Sequence, residues 1–427
     1  MTQPAAVDSS SQRRDKKPGG KPALLSVEEA RSRILAAMPL MGSESVPLPA
    51  AHGRVASDDV AARMSHPPVA VSAMDGYALR SDDVRELPVR LRQIGVSRAG
   101  VRFAGTLTPG ACVRIFTGAM VPDGADLIAL QEDATEAGGD VEIREVPRKG
   151  QHIRRAGLDF TAGQVCVGKG RVITARDIGL LAASGHVEVP VRRRPRIAIL
   201  STGDELVAPG DVPGPDQIVG SNGVALAAAV AGWGGVPIDL GIAPDRAEAI
   251  AAASDRARDA DMLATTGGAS VGEHDLVQTS FMQRGFVSSF WRIAMRPGKP
   301  LMFGRIGDLP VLSMPGNPVS AMVCALLFVR PALQAMLGAA PTAPVFETAV
   351  LGAAMPANDV REDYVRATLE RGEAGRLVVR PFPTQDSSMQ MTLAQAEALI
   401  RRAPFAPPAA QGESVDVIRF DCLAGNF

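Results

Sequence analysis

The chain reads as a multidomain α/β plus β protein, and three stretches predict it. Between residues 191 and 340, short apolar strands alternate with helical runs of about a dozen residues. That is the pattern of βαβ units in a doubly wound, mostly parallel sheet. Within residues 61–154, short alternating runs such as VRLRQIG, ACVRIF and VEIREV are separated by turn residues and predict a compact β-rich domain. Within residues 341–427, FETAVLGA, DYVRATLE, RLVVRPFP and SVDVIRF predict a second, smaller β domain, interrupted by one helical run, TLAQAEALIRR.

Taken in order, residues 1–22 are polar (SSSQRRDKKPGGKP) and read as a disordered tail. Arg13, Arg14, Lys16 and Lys17 either solubilise it or touch an acidic partner. Ser26 and Glu29 form a capping box for a helix to about Met38. SHPPVAVSAMDGYALR is irregular, as a functional loop around Asp75 and Gly76 would be. Thr174 and Asp177 cap a second helix ending near Ser184–Gly185. If that helix rejoins the first, residues 23–60 and 155–190 make one discontinuous N-terminal domain, with 61–154 inserted. Ser221 or Asn222 caps the next helix, and Asp245 with Glu248 forms a capping box on another. A long helix follows Pro318 to about Leu337, with Pro331 as its kink.

Composition excludes several functions. At 427 residues the chain exceeds one ordinary domain, and 46% hydrophobic content suffices for real cores. A net charge of −1 and 4% aromatic residues argue against nucleic-acid binding. Cys112, Cys166, Cys324 and Cys422 are scattered, without metal-ligand spacing, which fits a reducing cytoplasm. No apolar run is expected to span a bilayer, and no secretion signal is expected. No P-loop, Rossmann fingerprint, GxSxG elbow or HExxH motif occurs.

The chemistry concentrates between Ala260 and Ala321. Loops at the carboxyl ends of strands line the ligand crevice of an open α/β sheet. TTGGASVGEHD follows one such strand. Gly267, Gly268 and Gly272 let the backbone approach a ligand with its N–H groups turned inward, and Ser270 adds a hydroxyl. Carboxylates beside such a cradle (Glu273, Asp275) point to Mg²⁺ offsetting phosphate charge. His274 is a general base or a solvated loop histidine. MPGNP (Pro315, Gly316, Asn317) opens the long helix, whose start favours an anion, with Asn317 as N-cap. RPGKP sets two cations on one turn: Arg296 for bidentate contact with an oxyanion, Lys299 as a point charge. STGDEL offers Thr202 and Gly203 as donors and Asp204 or Glu205 as a carboxylate; the bland alternative is an Asp-capped βα turn. These features predict a site for an anionic, phosphate-bearing small molecule.

SAMDGYA, the TGA of RIFTGAMVP, STGDEL, GGASVGEHD, RPGKP and MPGNPVSA together closely resemble the molybdopterin molybdenumtransferase family of molybdenum-cofactor biosynthesis, which includes the C-terminal region of gephyrin. Each motif alone is weak; six in order, covering the chain from about residue 24 to its end, are specific. The resemblance implies an elongated homodimer of four-domain subunits. It implies a discontinuous dimerisation domain, an inserted β-rich domain, a molybdopterin-binding-like α/β domain and a C-terminal β-barrel. It places the active cleft between the α/β and C-terminal domains of one subunit and the inserted-domain region of the other. The implied reaction inserts molybdate into adenylylated molybdopterin and releases AMP. A molybdopterin adenylyltransferase is the implied partner, and a cytoplasmic setting is expected, with no nucleic acid and no membrane. An adenylyltransferase-type step and a non-catalytic gephyrin-like scaffold are the alternatives.

Residue by residue, the resemblance implies catalytic roles for Asp75, Thr117 and Glu205. It implies substrate contacts from Asp159, Arg296, Lys299, Arg366 in DYVRA, and Ser387 or Ser388 in QDSSM. Glu205, Asp245 and Asp275 are the implied acids near metal and nucleotide.

Overall fold

The computed structural model describes residues 24–146, 148–268, 276–340, 344–372 and 375–420. Contacts divide the described residues into two compact units: one holds residues 24–41 together with those from 194 to 420, the other residues 42–193.

The first unit is built on a six-stranded sheet. Its strand order is 236–243, 196–202, 262–266, 309–314, 302–306, 286–291. Strand Arg196–Thr202 is parallel to Val236–Ala243 and to Met262–Thr266, which is parallel to Leu309–Met314. The last two strands run antiparallel. Strand Met262–Thr266 is buried throughout, as its unbroken run MLATT requires of a strand covered on both faces. Two apolar clusters cover the sheet, one centred on Ile199, Leu312 and Phe328, the other on Leu200, Leu263 and Phe281.

Several helix predictions need correction: the run TLAQAEALIRR is helical only as far as Gln395 and continues as the strand Ala398–Arg402, and Ser221, at the N-cap of the helix Asn222–Gly232, makes no side-chain capping bond. The Asp245–Glu248 capping box does not form. The helix begins at Ala247 after Arg246, and the Asp245 N–H donates to Asp204 Oδ1 at 3.0 Å. Asn317 sits at the N-cap position, but its side chain caps nothing there; it bonds Ser387 instead. The Pro318–Leu337 helix is not simply kinked at Pro331. A π turn at Ala325–Val329 precedes it, and such a turn rearranges the bonds that a ring without an N–H would break. This helix is long and apolar enough to cross a membrane, contrary to the sequence expectation; here it is 78% buried inside the α/β core.

The C-terminal part of this unit is a closed barrel. Its strands run in the order 362–371, 377–381, 347–351, 414–419, 398–402, and the last pairs back with the first. The Ser26-capped helix Val27–Ala36 also belongs here. Val27, Ala30 and Ile34 are buried with Met336 in the α/β core.

In the second unit, chain segments far apart in sequence pair: Ser43–Pro47 with Glu188–Arg192, Val60–Ala61 with Val165–Val167, and Val71–Ser72 with Ile153–Arg154. The Thr174–Asp177 capping box forms. Between these segments lies a six-stranded sheet ordered 127–130, 76–79, 111–115, 89–97, 140–143, 134–137. The GYAL segment, which the sequence suggested was irregular, is an interior strand of it. Gly76 has no alternative there, because a Cβ would run into the Ala129 carbonyl of the neighbouring strand.

Candidate active site

Three adjacent parallel strands end at Thr202, Thr266 and Met314. Their register brings the following loops together. They line a cleft of about 530 Å³ with Thr202, Glu205, Gly267, Gly268, Pro315, Gly316 and Asn317 on its wall. Strand Met302–Ile306 runs antiparallel, so its start, with Pro300, reaches the same edge.

The glycines are forced by close approach. Gly268 has φ +65°, and a Cβ would strike the Val277 side chain and lie 2.9 Å from Thr202 Oγ1. A Cβ on Gly267 would meet the Thr202 carbonyl. Thr202 is 1% exposed and its Oγ1 has no hydrogen-bond partner among the described residues. Gly203, with φ +153°, lies beneath the folded Glu205 carboxylate, where a Cβ would be 2.5–2.8 Å from both oxygens.

Beside Glu205, Asp245 carries a buried Oδ1 with no hydrogen-bond partner among the described residues. Burial, and then the charges of Asp204 and Glu205, raise its pKa above the ordinary carboxylate value. Such a like-charge group with an orphaned oxygen fits a cation. Among the described residues no three His, Cys, Asp or Glu side chains form a metal cluster, and Asp275 lies outside them, as do Ser270, Gly272, Glu273 and His274.

The barrel supplies the cleft's other rim. Asn317 Nδ2 donates to Ser387 Oγ at 2.8 Å, and Val319 N donates to the Ser387 carbonyl at 3.1 Å. Ser388 lines the cleft, its hydroxyl donating to Asp386. Gln390 Nε2 donates to Ser221 Oγ at 2.6 Å, and Asn222 Nδ2 to the Gly316 carbonyl at 2.7 Å.

The second unit holds a separate carboxylate. Pairing of Gly76 with Ile115 sets the residues flanking these strands side by side. Thr117 donates to Asp75 Oδ1 twice, from its N–H at 2.7 Å and its Oγ1 at 2.8 Å. These two bonds, with the Arg114 charge, lower the Asp75 pKa below its ordinary value. Oδ2 makes no hydrogen bond among the described residues. Arg114 is held over the rings of Tyr77 and Phe116, at 5.0 and 4.8 Å.

With this geometry in place, relatives are informative. A molybdopterin molybdenumtransferase 2 of Mycobacterium tuberculosis is 37% identical over 364 residues, covering 83% of this chain and 89% of the relative. The chain belongs to the molybdopterin molybdenumtransferase (MoeA) family. The MoeA N-terminal region (domain I and II) matches residues 25–185 and the MoeA C-terminal region (domain IV) residues 348–420. Between them, residues 198–335 match the family described as "Probable molybdopterin binding domain". The Haemophilus influenzae molybdopterin molybdenumtransferase is 32% identical over 406 residues, covering 94% of this chain and all of the relative. Two structures of the Pyrococcus horikoshii MoeA protein match at TM-scores of 0.82 and 0.80, with 30% and 27% identity. Each covers 93% of this chain; the matched shares of those chains are 99% and 100%.

Within this chain, several predicted residues sit differently from expectation. Arg296 does not line the cleft; its guanidinium bonds Asp363, Asp359 and Asn358. Lys299 on the same turn is exposed. Arg366 is 1% exposed and bonds Gln385 Oε1 and the Met389 carbonyl, so it braces the loop carrying Ser387 and Ser388. Asp159 is exposed in a different cleft, within the second unit. Sequence reasoning missed Gln390. It stands in a helical run without a motif, and only the fold brings it to Ser221.

Proposed function

We propose that this chain is a molybdopterin molybdenumtransferase, inserting molybdate into adenylylated molybdopterin with release of AMP. The observation carrying this is the convergence of the Thr202–Glu205, Gly267–Gly268 and Pro315–Asn317 loops on one cleft. Membership of the MoeA family supports it. The substrates are both anionic, so the site must gather them against repulsion worth several kcal/mol in a low-dielectric cleft.

Each group has a role in this reading. The Gly268 backbone N–H and the positive end of the Pro318 helix favour phosphate oxygens, while the Gly267 and Val319 N–H groups are already donated to the Met314 and Ser387 carbonyls. Thr202 Oγ1, which lacks a partner among the described residues, donates to the ligand. Lys299 is the point charge for molybdate, while Arg296, through Asp363, fixes the turn that presents it. Ser387 and Ser388, braced by Arg366, close the barrel side of the cleft. Asp75, kept ionised by Thr117, orients its reacting partner through the free Oδ2, and Asp159 is a further substrate contact.

Glu205 and Asp245, with Asp275, would hold Mg²⁺, which supplies charge neutralisation and phosphoryl polarisation. A homodimer, a cytoplasmic setting and handover from a molybdopterin adenylyltransferase belong to the same reading.

Purified protein incubated with adenylylated molybdopterin, molybdate and Mg²⁺ should release AMP, and Asp75→Asn should not support that release. AMP no higher than in a protein-free control would contradict the reading. ATP consumption with metal-free molybdopterin would instead favour the adenylylation step.

A further inference from the structure

The cleft between the α/β layer and the barrel continues along one wall into uncharged polar groups. Asn222 Nδ2 donates to the Gly316 carbonyl at 2.7 Å, two residues before the Pro318 helix. A carbonyl only accepts, so this bond fixes the Asn222 amide and leaves its Oδ1 unbonded among the described residues. The neighbouring Ser221 Oγ receives Gln390 Nε2 at 2.6 Å. Gln390 is exposed, lines the same cleft, and makes no other side-chain bond among the described residues. Its amide therefore keeps one N–H and the Oε1 acceptor, adjacent and in one plane.

Gln390 is held from both sides. Ser221 fixes its amide, and buried Arg366 donates to the carbonyl of Met389, the residue before it, at 3.3 Å. The same cleft also has an apolar wall. Leu206, Ile218 and Val219 line it, and Ile218 is 59% exposed. Pairing of Leu206–Val207 with Ile218–Val219 makes this a shelf, and the Ile218 N–H donates to the Glu205 carbonyl at 2.7 Å. An aliphatic shelf and a planar amide with adjacent donor and acceptor match a flat heterocycle that sets a ring acceptor beside an amino group. Adenine does so at N7 and N6, and a glutamine amide pairs with that edge through two bonds. Hypoxanthine and guanine carry an oxo group in place of that amino group, which would face Oε1 acceptor to acceptor.

We propose that Gln390 reads the adenine of the nucleotide-tagged substrate. Its Oε1 accepts from the amino group, its Nε2 donates to N7, and the ring lies on the shelf of Leu206, Ile218 and Val219. This rests on the transferase reading for its ligand and extends it, naming the residue that selects adenine over other purines.

Isothermal titration calorimetry of the full-length protein with AMP, IMP and GMP tests it. AMP should bind about tenfold tighter than IMP, the difference expected of one bidentate base contact. GMP, whose guanine has the amino–oxo edge of a pterin, should bind no better than IMP. In Gln390→Leu, AMP affinity should fall to that of IMP. Ser221→Ala frees the Gln390 amide to rotate and should narrow the ratio between the two. No AMP binding, or equal AMP and IMP affinities in the unaltered protein, would overturn the proposal. So would equal weakening of both ligands by Gln390→Leu, which would make Gln390 only a tie between the barrel and the α/β layer. GMP binding tighter than AMP would also overturn it, since the cleft would then read the pterin edge. AMP release is assayed separately: release without base discrimination refutes this proposal alone, and discrimination without release refutes the transfer reading alone.

Discussion

Asn317 at the start of the long buried helix and Ser387 in a barrel loop are joined side chain to side chain at 2.8 Å, and the Ser387 carbonyl also receives the Val319 N–H. The α/β layer and the barrel are thereby pinned at the cleft rim. Ser387→Ala removes only the hydroxyl and should cost about 0.5–1.5 kcal/mol in urea unfolding. In an AMP-release assay it should raise KM more than it lowers kcat. Ser388→Ala, whose hydroxyl bonds only Asp386 among the described residues, should cost less stability.

Asp75 should be the most sensitive position. Asp75→Asn keeps the shape but removes the charge, and should lower kcat by about 10²–10⁴-fold. Thr117→Val removes the hydroxyl bond and leaves the N–H bond. With its pKa lowered in the fold, Asp75 stays ionised, and its stabilising contribution is lost only as pH falls through that lowered value. Thr117→Val should therefore move the acid limb of the rate profile to higher pH. An acid limb unmoved by that substitution would contradict the role of Thr117.

Asp245 carries the opposite sign. Its pKa is raised in the fold, so in the metal-free protein its ionisation costs stability, and that cost disappears as pH falls through the raised value. Asp245→Asn should raise Tm in EDTA at neutral pH. It should also shrink the Tm increment given by Mg²⁺. A full Mg²⁺ increment in the variant would remove Asp245 from the metal set.

Gly268→Ala should be disruptive for two reasons, a left-handed φ of +65° and a collision with Val277 and Thr202. A cost of about 1–3 kcal/mol is expected, with loss of AMP release. Gly118→Ala shares the positive φ (+79°) but meets nothing within 4 Å, so it should be milder.

The strand–loop alternation between Arg196 and Asn317 was legible in the sequence because buried parallel strands leave unbroken apolar runs and their loops need glycine. The family resemblance named Asp75 and Thr117, whereas their mutual bond follows from strand register, which no local motif encodes. The fate of Arg296 was not legible. RPGKP advertises two free cations, but Asp363 and Asp359 stand more than sixty residues on and reach Arg296 only through barrel closure. Asp245 misled for a related reason. Asp followed by Glu three residues later is a capping signal, but Asp204 captured its N–H and moved the helix start. Gln390 and Ser221, 169 positions apart, meet only in the fold.

The most direct measurement is a crystal structure of the full-length protein soaked with AMP, Mg²⁺ and molybdate. The account predicts nucleotide phosphate density against Gly267, Gly268 and the start of the Pro318 helix, with Thr202 Oγ1 turned toward it. Nucleotide bound elsewhere in a protein that releases AMP, with this cleft empty, would contradict it.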